Sequence, residues 1–478
     1  MADTGSAPEA TILVDLWASL EGSPDALEGV SFAGEAGGLP SVYRVAESAC
    51  AQVAAATLAV AELFAARTRT PLRPVRVERR HVVAAFRSER YLRLTRGAPD
   101  PWDPIAGDYE AADGWIRLHT NYANHRRAAL QVLGTPAERE AVARAVRGWN
   151  AEALETKVVE AGGAAAAMHT AAEWAAHPQG RAVAREPLVH AARAEGSVAP
   201  TPFERLGGLT PARPLEGVRV LDLTRVIAGP VCTRFLAAHG AEVLRIDPPG
   251  FEEVGALLGD TTGGKRRAAL DLRSEAGRRT FEDLLAEAHL LVTGYRGDAL
   301  PRLGLDARTL RARNGGLVVA SLDAYGWTGP WAARRGFDSL VQMSAGIAAR
   351  GAEVAGASRP SPLPAQALDH GTGYLLAAAA CRALTRALQG GGASDVRLSL
   401  ARTAHWLVSL EDERRNHGDA GASGGSDFTQ EDAAPWLETT DSAWGPLDRV
   451  RPPGAIDGLP ARCSALPGPL GTDRPAWE

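Results

Sequence analysis

Cysteine is scarce in this sequence. The four cysteines are Cys50, Cys232, Cys381 and Cys463, and no two of them form a C-x-x-C pair. Their number and spacing exclude a disulfide framework and a cysteine-rich metal site, which makes a reducing cytoplasm the expected location. The histidines also lack the spacing of metal ligands. Those considered are His81, His119, His125, His370 and His405.

A surplus of positive charge is missing as well. The chain has 52 Lys and Arg residues against 57 Asp and Glu, a formal net charge of −5 and a pI of about 6.2. Binding to nucleic acid or to an anionic membrane surface requires a broad positive field. We therefore expect neither partner, and any functional basic residue has to act locally.

Long hydrophobic runs are absent too. Met1–Leu20 contains acidic residues and lacks the basic start and apolar core of a signal peptide. The most apolar stretch, Ala49–Ala66, contains Gln52 and Glu62, so it falls short of the roughly 18 uninterrupted apolar residues that cross a bilayer. The sequence predicts a soluble, cytoplasmic protein.

Two catalytic signatures do not occur. Without G-x-G-x-x-G, a pyrophosphate cannot approach a helix backbone closely, so NAD and FAD are not expected. Without a G-x-S-x-G elbow, hydrolysis by a Ser-His-Asp triad is not expected either. The sequence predicts no permanently bound cofactor and no metal.

The second half of the chain alternates strands with helices. Strands are predicted at Val218–Leu223, Val243–Ile246, Leu290–Val292 and Leu317–Leu322, and helices at Pro230–His239 and Ser274–Ala288. This alternation is typical of an α/β fold with a doubly wound parallel sheet. The loops Gly264–Arg267, Leu270–Leu272 and Thr293–Leu300 are expected to converge at its carboxyl edge, where Lys265, Arg266 and Arg302 would meet the phosphates of a nucleotide carrier.

Two Ala-rich units share one order of elements. In the first, the helix Ser41–Ala66 is followed by the strand Val75–Val77 and a helix near His81. In the second, the helix Leu375–Leu388 is followed by Val396–Leu398 and a helix near Ala404. The echo predicts a duplication of one unit, with both copies fused and incomplete.

Residues 217 to about 408 resemble the large domain of the class III CoA-transferases, the family of formyl-CoA transferase, carnitine CoA-transferase and alpha-methylacyl-CoA racemase. The motifs that carry the resemblance are Gly217–Thr224, Ala228–Pro230, Gly240–Asp247, Gly264–Arg266, Gly336–Asp338 and Ala367–Gly373. Asp113–Gly134 and Trp174–Val183 resemble the family's small domain, and Pro452–Gly471 resembles its C-terminal end. The resemblance implies a CoA-binding large domain with a smaller α+β domain.

The predicted domain boundaries follow from this likeness. They are 1–100 for a partial copy of the large-domain unit, 101–200 for the small domain, 201–216 for a linker, 217–411 for the Rossmann-like large domain, and 412–478 for a loop with an extended closing segment. The linker is marked by the prolines and glycines of Gly196–Pro214, and the mobile part of the tail by Gly418–Asp432. A single chain of this kind would act as a monomer that imitates a dimer, or as a homodimer.

The resemblance also implies a site. Asp369 falls on the family's nucleophile, and the CoA contacts fall on Lys265, Arg266, Tyr295, Ala299, Arg302 and Tyr325. This chain departs from the family at Pro248, where formyl-CoA transferase has Arg, and at Gly294, where Asn is usual. The family's reaction would use acyl-CoA and a carboxylate as substrates.

Asp369 has a structural interpretation as well, because an Asp before a helix is commonly an N-cap. The helix dipole would keep its carboxylate ionised, and Gly371 and Gly373 would let a thioester approach the backbone, whose N–H groups would stabilise the oxyanions. Glu47 occupies the corresponding position of the first unit, where an ordinary helix-start acid is the favoured interpretation.

Three functions remain open at this point. The first is CoA transfer through an aspartyl-CoA intermediate, between molecules or within one substrate. The second is racemisation or isomerisation of an acyl-CoA, which is disfavoured because Phe337 stands where the racemase has a catalytic His. The third is a non-catalytic CoA-binding or scaffold role.

Overall fold

The computed structural model describes residues 7–94, 102–194, 211–295, 297, 299–416 and 425–478. Arg296, Asp298, most of the predicted linker (196–210) and part of the predicted loop (418–424) lie outside the described residues.

The first part of the chain is built around one long helix. Its elements are α1 (Pro8–Ser19), β1 (Val30–Ala33), α2 (Val45–Thr68), β2 (Val75–Glu78), α3 (Arg79–Ala85), α4 (Ser88–Tyr91) and β3 (Arg93–Leu94). β1 and β2 are parallel neighbours, and α2 connects them. α2 is rich in alanine and is buried on nearly all sides, as expected for a helix that neighbouring helices approach closely.

A separate small unit follows. It consists of β4 (Gly107–Glu110), β5 (Trp115–Leu118), α5 (Ala123–Leu133), α6 (Arg139–Val146), α7 (Ala151–Glu160) and β6 (Ala165–Ala167). The chain then continues through α8 (Ala171–Ala176), α9 (Pro178–Arg185) and β7 (His190–Arg193), which is an edge strand of a larger sheet. β4, β5 and β6 form an antiparallel sheet in that order. Ile116, Val142 and Leu154 are fully buried in the small unit's own hydrophobic core, to which β4, β5, β6, α5, α6 and α7 contribute. The predicted boundaries of this small domain stay a prediction.

The remaining chain forms the main sheet and its helices. The elements are β8 (Arg219–Leu223), α10 (Ala228–Ala238), β9 (Glu242–Asp247), α11 (Leu258–Thr261), β10 (Lys265–Ala269), α12 (Glu275–Glu287), β11 (Leu290–Thr293), α13 (Ala299–Arg302), α14 (Ala307–Arg313), β12 (Val318–Asp323), α15 (Asp338–Ser344), α16 (Ile347–Ala355), α17 (Ala367–Arg386), β13 (Ser394–Ser399), α18 (Leu400–Asn416), α19 (Gln430–Ala433), β14 (Leu437–Thr440), β15 (Leu447–Val450) and β16 (Ala455–Ile456).

The main sheet has seven strands in the order β10-β9-β8-β11-β12-β13-β7, all parallel except the edge strand β7. Its six parallel strands have the doubly wound order in which the chain reverses direction across the sheet between β8 and β11. Val220 and Val292 belong to one hydrophobic core and Leu221 and Leu291 to another, so successive residues of a strand face opposite cores. The predicted α/β fold with a mostly parallel sheet is confirmed.

α2 packs against α17 within the larger core. Small residues permit this contact, because a Cβ atom on Gly371 of α17 would lie 2.6 Å from the side chain of Gln52 of α2. α2 has the length and hydropathy of a membrane-crossing helix, but 83% of its most apolar window is buried inside the fold. Both β1–α2–β2 and β12–α17–β13 place an Ala-rich helix between parallel strands; the duplication itself stays a prediction.

The tail contains short strands that pair with each other and with the first part of the chain. α18 continues to Asn416, β14 and β15 form an antiparallel pair that adds β3, and β16 adds to β2. These pairings attach the end of the chain to its first part. The predicted extended segment stays a prediction, and the sequence did not predict that it pairs with β2 and β3, which are more than 300 residues away.

Candidate active site

A cavity of about 620 Å³ lies at the carboxyl ends of the parallel strands. Arg225 and Val226 follow β8 and line it, and Gly294 and Tyr295 follow β11 and line it as well. The cavity therefore includes the point where the strand order reverses, which is the usual ligand site of an open α/β sheet. The small unit closes it with Tyr122, Asn124 and His125.

Asp369 is a wall residue of this cavity. It is the third residue of α17 and is 7% exposed. Its backbone N–H donates a hydrogen bond of 2.9 Å to Oδ2 of Asp338. Burial, the neighbouring Asp338 and then Glu89 raise the pKa of Asp369 well above its ordinary value. The helix dipole does not keep this carboxyl strongly acidic, contrary to the prediction.

Asp338 supports the start of α17. Its Oδ1 accepts from the Gln342 side chain at 2.5 Å, and its Oδ2 accepts from the Asp369 N–H. Burial raises the pKa of Asp338 to about 6. Two buried carboxyl groups thus sit together at the cavity, and each makes ionisation of the other less favourable.

His370, next in sequence to Asp369, points away from the cavity. Its Nε2 lies 3.1 Å from Oε2 of Glu89, and its ring packs against Phe86. His370 is fully buried and does not line the cavity. It therefore fixes the helix start from behind, together with Glu89.

Gly371 and Gly373 have a packing role and not the predicted one. A Cβ atom on Gly373 would lie 2.5 Å from the carbonyl oxygen of Ala228, and one on Gly371 would meet Gln52. Both glycines lie beyond the first turn of α17, where backbone N–H groups are engaged within the helix. They are therefore not donors for an oxyanion, and the prediction that a thioester approaches them is wrong.

Lys265 and Arg266 do not reach the cavity. Lys265 is completely buried, with Nζ 3.0 Å from Oδ2 of Asp222 and 3.1 Å from the carbonyl oxygen of Pro230. Arg266 pairs with Glu242 and Glu478. Both residues begin β10, so they lie at the amino end of a parallel strand, opposite the ligand edge. Their predicted phosphate contacts are therefore wrong.

The Lys265–Asp222 ion pair is structural. Burial lowers the pKa of Lys265. Burial alone would raise the pKa of Asp222, but Lys265, Arg245 and hydrogen bonds from Thr224 and Thr233 lower it below its ordinary value. Such a pair holds β8, α10 and β10 together, and loss of one partner would leave the other charge buried alone.

The other predicted contacts divide into two groups. Tyr295 and Ala299 line the cavity, as do Pro248 and Gly294. Arg302 lies exposed at the end of α13 and does not line it. Tyr325 is fully buried, with its hydroxyl 3.1 Å from the Ser344 hydroxyl, so it packs in the core behind the cavity wall.

Four arginines that the sequence did not single out line the cavity: Arg225, Arg273, Arg334 and Arg335. The Arg225 guanidinium lies 3.6 Å from the ring centre of Phe251 and 4.9 Å from that of Tyr295. Arg334 lies 3.8 Å from the ring centre of Trp331 and pairs with Glu155. These arginines give the cavity wall a positive charge that Pro248 and Gly294 cannot supply, and the aromatic rings pack against them.

His125 was also missed as a cavity residue. It is 6% exposed, and its ring centre is 5.8 Å from that of Phe337. Burial and then Arg335 lower the pKa of His125 to about 4, so the imidazole is neutral near pH 7. Phe337 itself stacks on His119 at 3.6 Å. No sequence motif marks His125, because it approaches Phe337 across more than 200 residues.

A hydrogen-bond network ties the small unit to the cavity loop. The Tyr122 hydroxyl donates to Oε1 of Glu253 at 2.5 Å, and Oε2 of Glu253 accepts from the Val226 N–H and from Arg245. Val226 has φ +65°, which is a strained conformation for a β-branched residue. The Glu253 contact holds this residue in place where it lines the cavity.

Metal chemistry has no candidate ligand set in the described part of the chain, where no group of three or more His, Cys, Asp and Glu side chains is arranged to hold an ion. Glu47 is the third residue of α2, the same helix position that Asp369 has in α17, but it does not line the cavity.

Comparison with known proteins identifies several CoA-transferases that are similar to this chain. Residues 215–430 match the model of "CoA-transferase family III". An acetyl-coenzyme A transferase of Hypoxylon pulicicidum is 29% identical over 322 residues, which cover 64% of this chain and 54% of that protein. A probable fatty acyl-CoA transferase of Mycobacterium tuberculosis is 32% identical over 203 residues, which cover 40% of this chain and 51% of that protein.

Further curated relatives that are 30% identical are also named CoA-transferases. The crystal structure of a CaiB/BaiF family protein from Brucella suis aligns with a TM-score of 0.38 at 25% identity, covering 49% of this chain and 65% of that chain. The chain spans about half the length of the first two curated relatives.

Proposed function

We propose that the chain moves CoA from an acyl-CoA thioester to a carboxylate through an aspartyl-CoA intermediate on Asp369, because residues 215–430 match the family model of the CoA-transferases. The observation that supports this most is the position of Asp369, which lines the cavity at the ligand edge of the sheet, among arginines and aromatic rings. Described residues offer no metal site as an alternative source of catalysis.

The reaction has two covalent steps. A carboxylate oxygen of Asp369 attacks the thioester carbonyl, the carbon–sulfur bond breaks, and CoA thiolate leaves an aspartyl-acyl anhydride. The thiolate then attacks the aspartyl carbonyl carbon, and the bond between that carbon and the bridging oxygen breaks, so the first acyl group leaves as a carboxylate and an aspartyl-CoA thioester remains. An incoming carboxylate then attacks the aspartyl-CoA thioester, and the same two steps run in reverse. The carboxylate leaves as its CoA thioester, and the Asp369 carboxylate is restored. No net proton is transferred.

The surroundings of Asp369 fit this role. Its carboxyl is largely removed from water, so its ionised form lacks the hydration that would weaken it as a nucleophile. Arg225 and Arg335 line the same cavity, and their positive charge favours the negative charge that develops on an attacked carbonyl oxygen. Asp338 opposes ionisation of Asp369, so it lowers the fraction of the protein in which the reactive carboxylate is present.

CoA binding is proposed for the same cavity. Its arginines are suited to the phosphates, and the Arg225–Phe251–Tyr295 cluster presents flat surfaces against which a base can stack. Arg273 is largely exposed and pairs with Asp271 at the rim, which is the position expected for a contact with a phosphate at the open end.

Trapping the intermediate tests the proposal. Hydroxylamine added during turnover with acyl-CoA converts an aspartyl thioester or anhydride to a hydroxamate, and peptide mass spectrometry should find that mass on the peptide containing Asp369. Asp369→Asn should give no label and lose at least about three powers of ten in CoA exchange, about 4 kcal/mol of barrier. The matched control Asp283→Asn changes an exposed Asp on α12 and should behave as wild type. A label on another residue would overturn the assignment.

One observation favours a second candidate, exchange of the proton on the carbon next to the thioester. His125 is neutral and lines the cavity that Asp369 lines, so the site has two groups able to carry a proton although Phe337 is not one. Incubation of acyl-CoA in D₂O separates the candidates. If wild type incorporates deuterium at that carbon and His125→Gln does not, proton exchange is favoured. If the substrate stays free of deuterium while CoA exchange proceeds, transfer is favoured.

The cytoplasmic location, the duplication and the state of assembly stay predictions. A mass in solution equal to one chain would support a monomer that imitates a dimer, and a mass of two chains would support a homodimer.

A further inference from the structure

A second large groove lies beside the active-site cavity and shares no lining residue with it. Its volume is about 690 Å³. It lies among α9, the start of β7, the loop 327–329 after β12, the end of β13 and the start of α18. Nothing in the proposed transfer reaction uses it.

Basic residues dominate the lining of the groove. Five basic residues line it: Arg181, Arg185, His190, Arg397 and Arg402. The one acidic lining residue is Glu186, and it is already committed, because its Oε1 accepts from the backbone N–H groups of Trp327 and Thr328 and from the Thr328 hydroxyl at 2.6 to 2.9 Å.

Three of the arginines form no close ion pair among the described residues, although Glu186 is near enough to Arg402, and Asp323 to Arg397, to interact with them electrostatically. No described carboxylate oxygen lies within 4.0 Å of the guanidinium of Arg185, Arg397 or Arg402, although many other arginines of this protein are paired. Arg185 and Arg397 are exposed, so water screens part of their charge, but the groove still has four arginines against the single carboxylate of Glu186. This unbalanced charge indicates an anionic ligand.

Hydrogen bonds fix the side chains that line the groove. Nε of Arg402 donates to the carbonyl oxygen of Glu186 at 2.6 Å, which fixes the direction of its guanidinium. Trp327 donates from its indole N–H to the carbonyl oxygen of Leu398 at 3.1 Å, and Arg397 lies 5.3 Å from the Trp327 ring centre. Pro178, Ala182 and Pro187 add an apolar wall.

We propose that this groove binds a small organic dianion with an apolar body, held by Arg185, Arg397 and Arg402 and packed against Trp327. Planar guanidinium groups pair two-pronged with carboxylates and phosphates, and an indole face accepts a flat or aliphatic body. Free dicarboxylates and nucleoside diphosphates share this chemistry, and the test separates them. The inference does not depend on the proposed transfer reaction.

Calorimetric titration of the full chain, with the active site first saturated with CoA, is the test. The probes are glutarate and ADP, in separate titrations. We expect one probe to bind with one site per chain and with an affinity that falls as salt is raised. Because CoA already fills the first cavity, binding that disappears under CoA saturation would belong to the active site and would overturn the proposal.

Variants locate the binding. The double variant Arg397→Gln with Arg402→Gln should lower the affinity for the bound probe at least tenfold. The control Arg308→Gln, which changes an exposed arginine on α14, should leave that affinity unchanged. Arg185 is exposed, so Arg185→Glu keeps the fold and should weaken binding about fivefold or more even if the double variant is unstable. Trp327→Phe should remove the fluorescence change on binding. Failure of both probes to bind, or equal affinity in Arg185→Glu and wild type, would overturn the proposal.

Discussion

Replacing Asp338 by Asn should make the active site work at lower pH. Asp338 is the second largest cause, after burial, of the raised pKa of Asp369, and its Oδ2 accepts the Asp369 N–H at 2.9 Å. An Asn oxygen can still accept that hydrogen bond but carries no charge. The substitution therefore removes electrostatic opposition to the Asp369 carboxylate while the helix start keeps its support.

The size of the effect follows from Coulomb's law. Two unit charges about 5 Å apart at an effective dielectric of about 20 repel by roughly 3 kcal/mol, or roughly two pH units. The pKa of Asp338 is itself raised to about 6, so it carries only part of a charge at mildly acidic pH. We therefore expect the acid limb of the kcat/KM profile to move down by about one to two pH units.

The assay is CoA exchange measured against pH for wild type, Asp338→Asn and Glu89→Gln. Glu89 is the third cause of the raised pKa, so its variant should move the limb in the same direction by less. Gln342 donates to Asp338 and its own oxygen accepts from Leu363, so an Asn amide at 338 faces a donor. Stability should fall by about 1 to 3 kcal/mol, measured by denaturant unfolding. An acid limb that stays in place or moves up in the folded Asp338→Asn variant would refute the reasoning.

Three further predictions concern other groups. Lys265→Met should lower the free energy of unfolding by about 3 to 5 kcal/mol because Asp222 stays buried without its partner, whereas CoA affinity of the folded protein should hold; the opposite pattern would restore the phosphate role. Arg225→Gln should weaken CoA binding by about 1.5 to 3 kcal/mol in titration calorimetry, and an unchanged Kd would remove Arg225 from the site. Burial raises the pKa of Asp323 to about 8, so the folded state binds its proton more tightly than the unfolded state, and stability from this group is lost as pH rises from about 4 to about 8. Asp323→Asn should flatten that part of the stability profile, and an identical slope in both proteins would contradict it.

The sequence was sufficient to predict the sheet, and the role of Asp369, which lines the cavity, stays a prediction. Alternating apolar strands and helices in 217–323 predict parallel strands, and short-range periodicity survives whatever the rest of the chain does. The direction of those strands also contained a signal that the prediction missed. Lys265 precedes the apolar part of β10, so a parallel sheet places it at the amino end, away from Asp247 and Leu270 at the ligand edge.

Other features depend on contacts that no local pattern encodes. His125 and Tyr122 reach the cavity from a separate unit, and the partners of Gly371 and Gly373 are on α2 and α10. The sequence does not distinguish a helical glycine that contacts a ligand from one that contacts another helix. The raised pKa of Asp369 likewise depends on Asp338 and Glu89, which are 31 and 280 positions away in the sequence.

The packing of α2 against α17 has a consequence during synthesis. α17 begins at Ala367, 299 positions after α2 ends at Thr68. At about 5 to 20 residues per second, a ribosome needs roughly 15 to 60 s to make that interval. For this time an apolar helix of 24 residues waits without its largest partner. α1 and the β1–β2 pair can cover part of it, but the face that α17 covers in the finished fold stays without its partner. The nascent chain stalled near residue 300 should therefore be far more prone to aggregation than the finished protein.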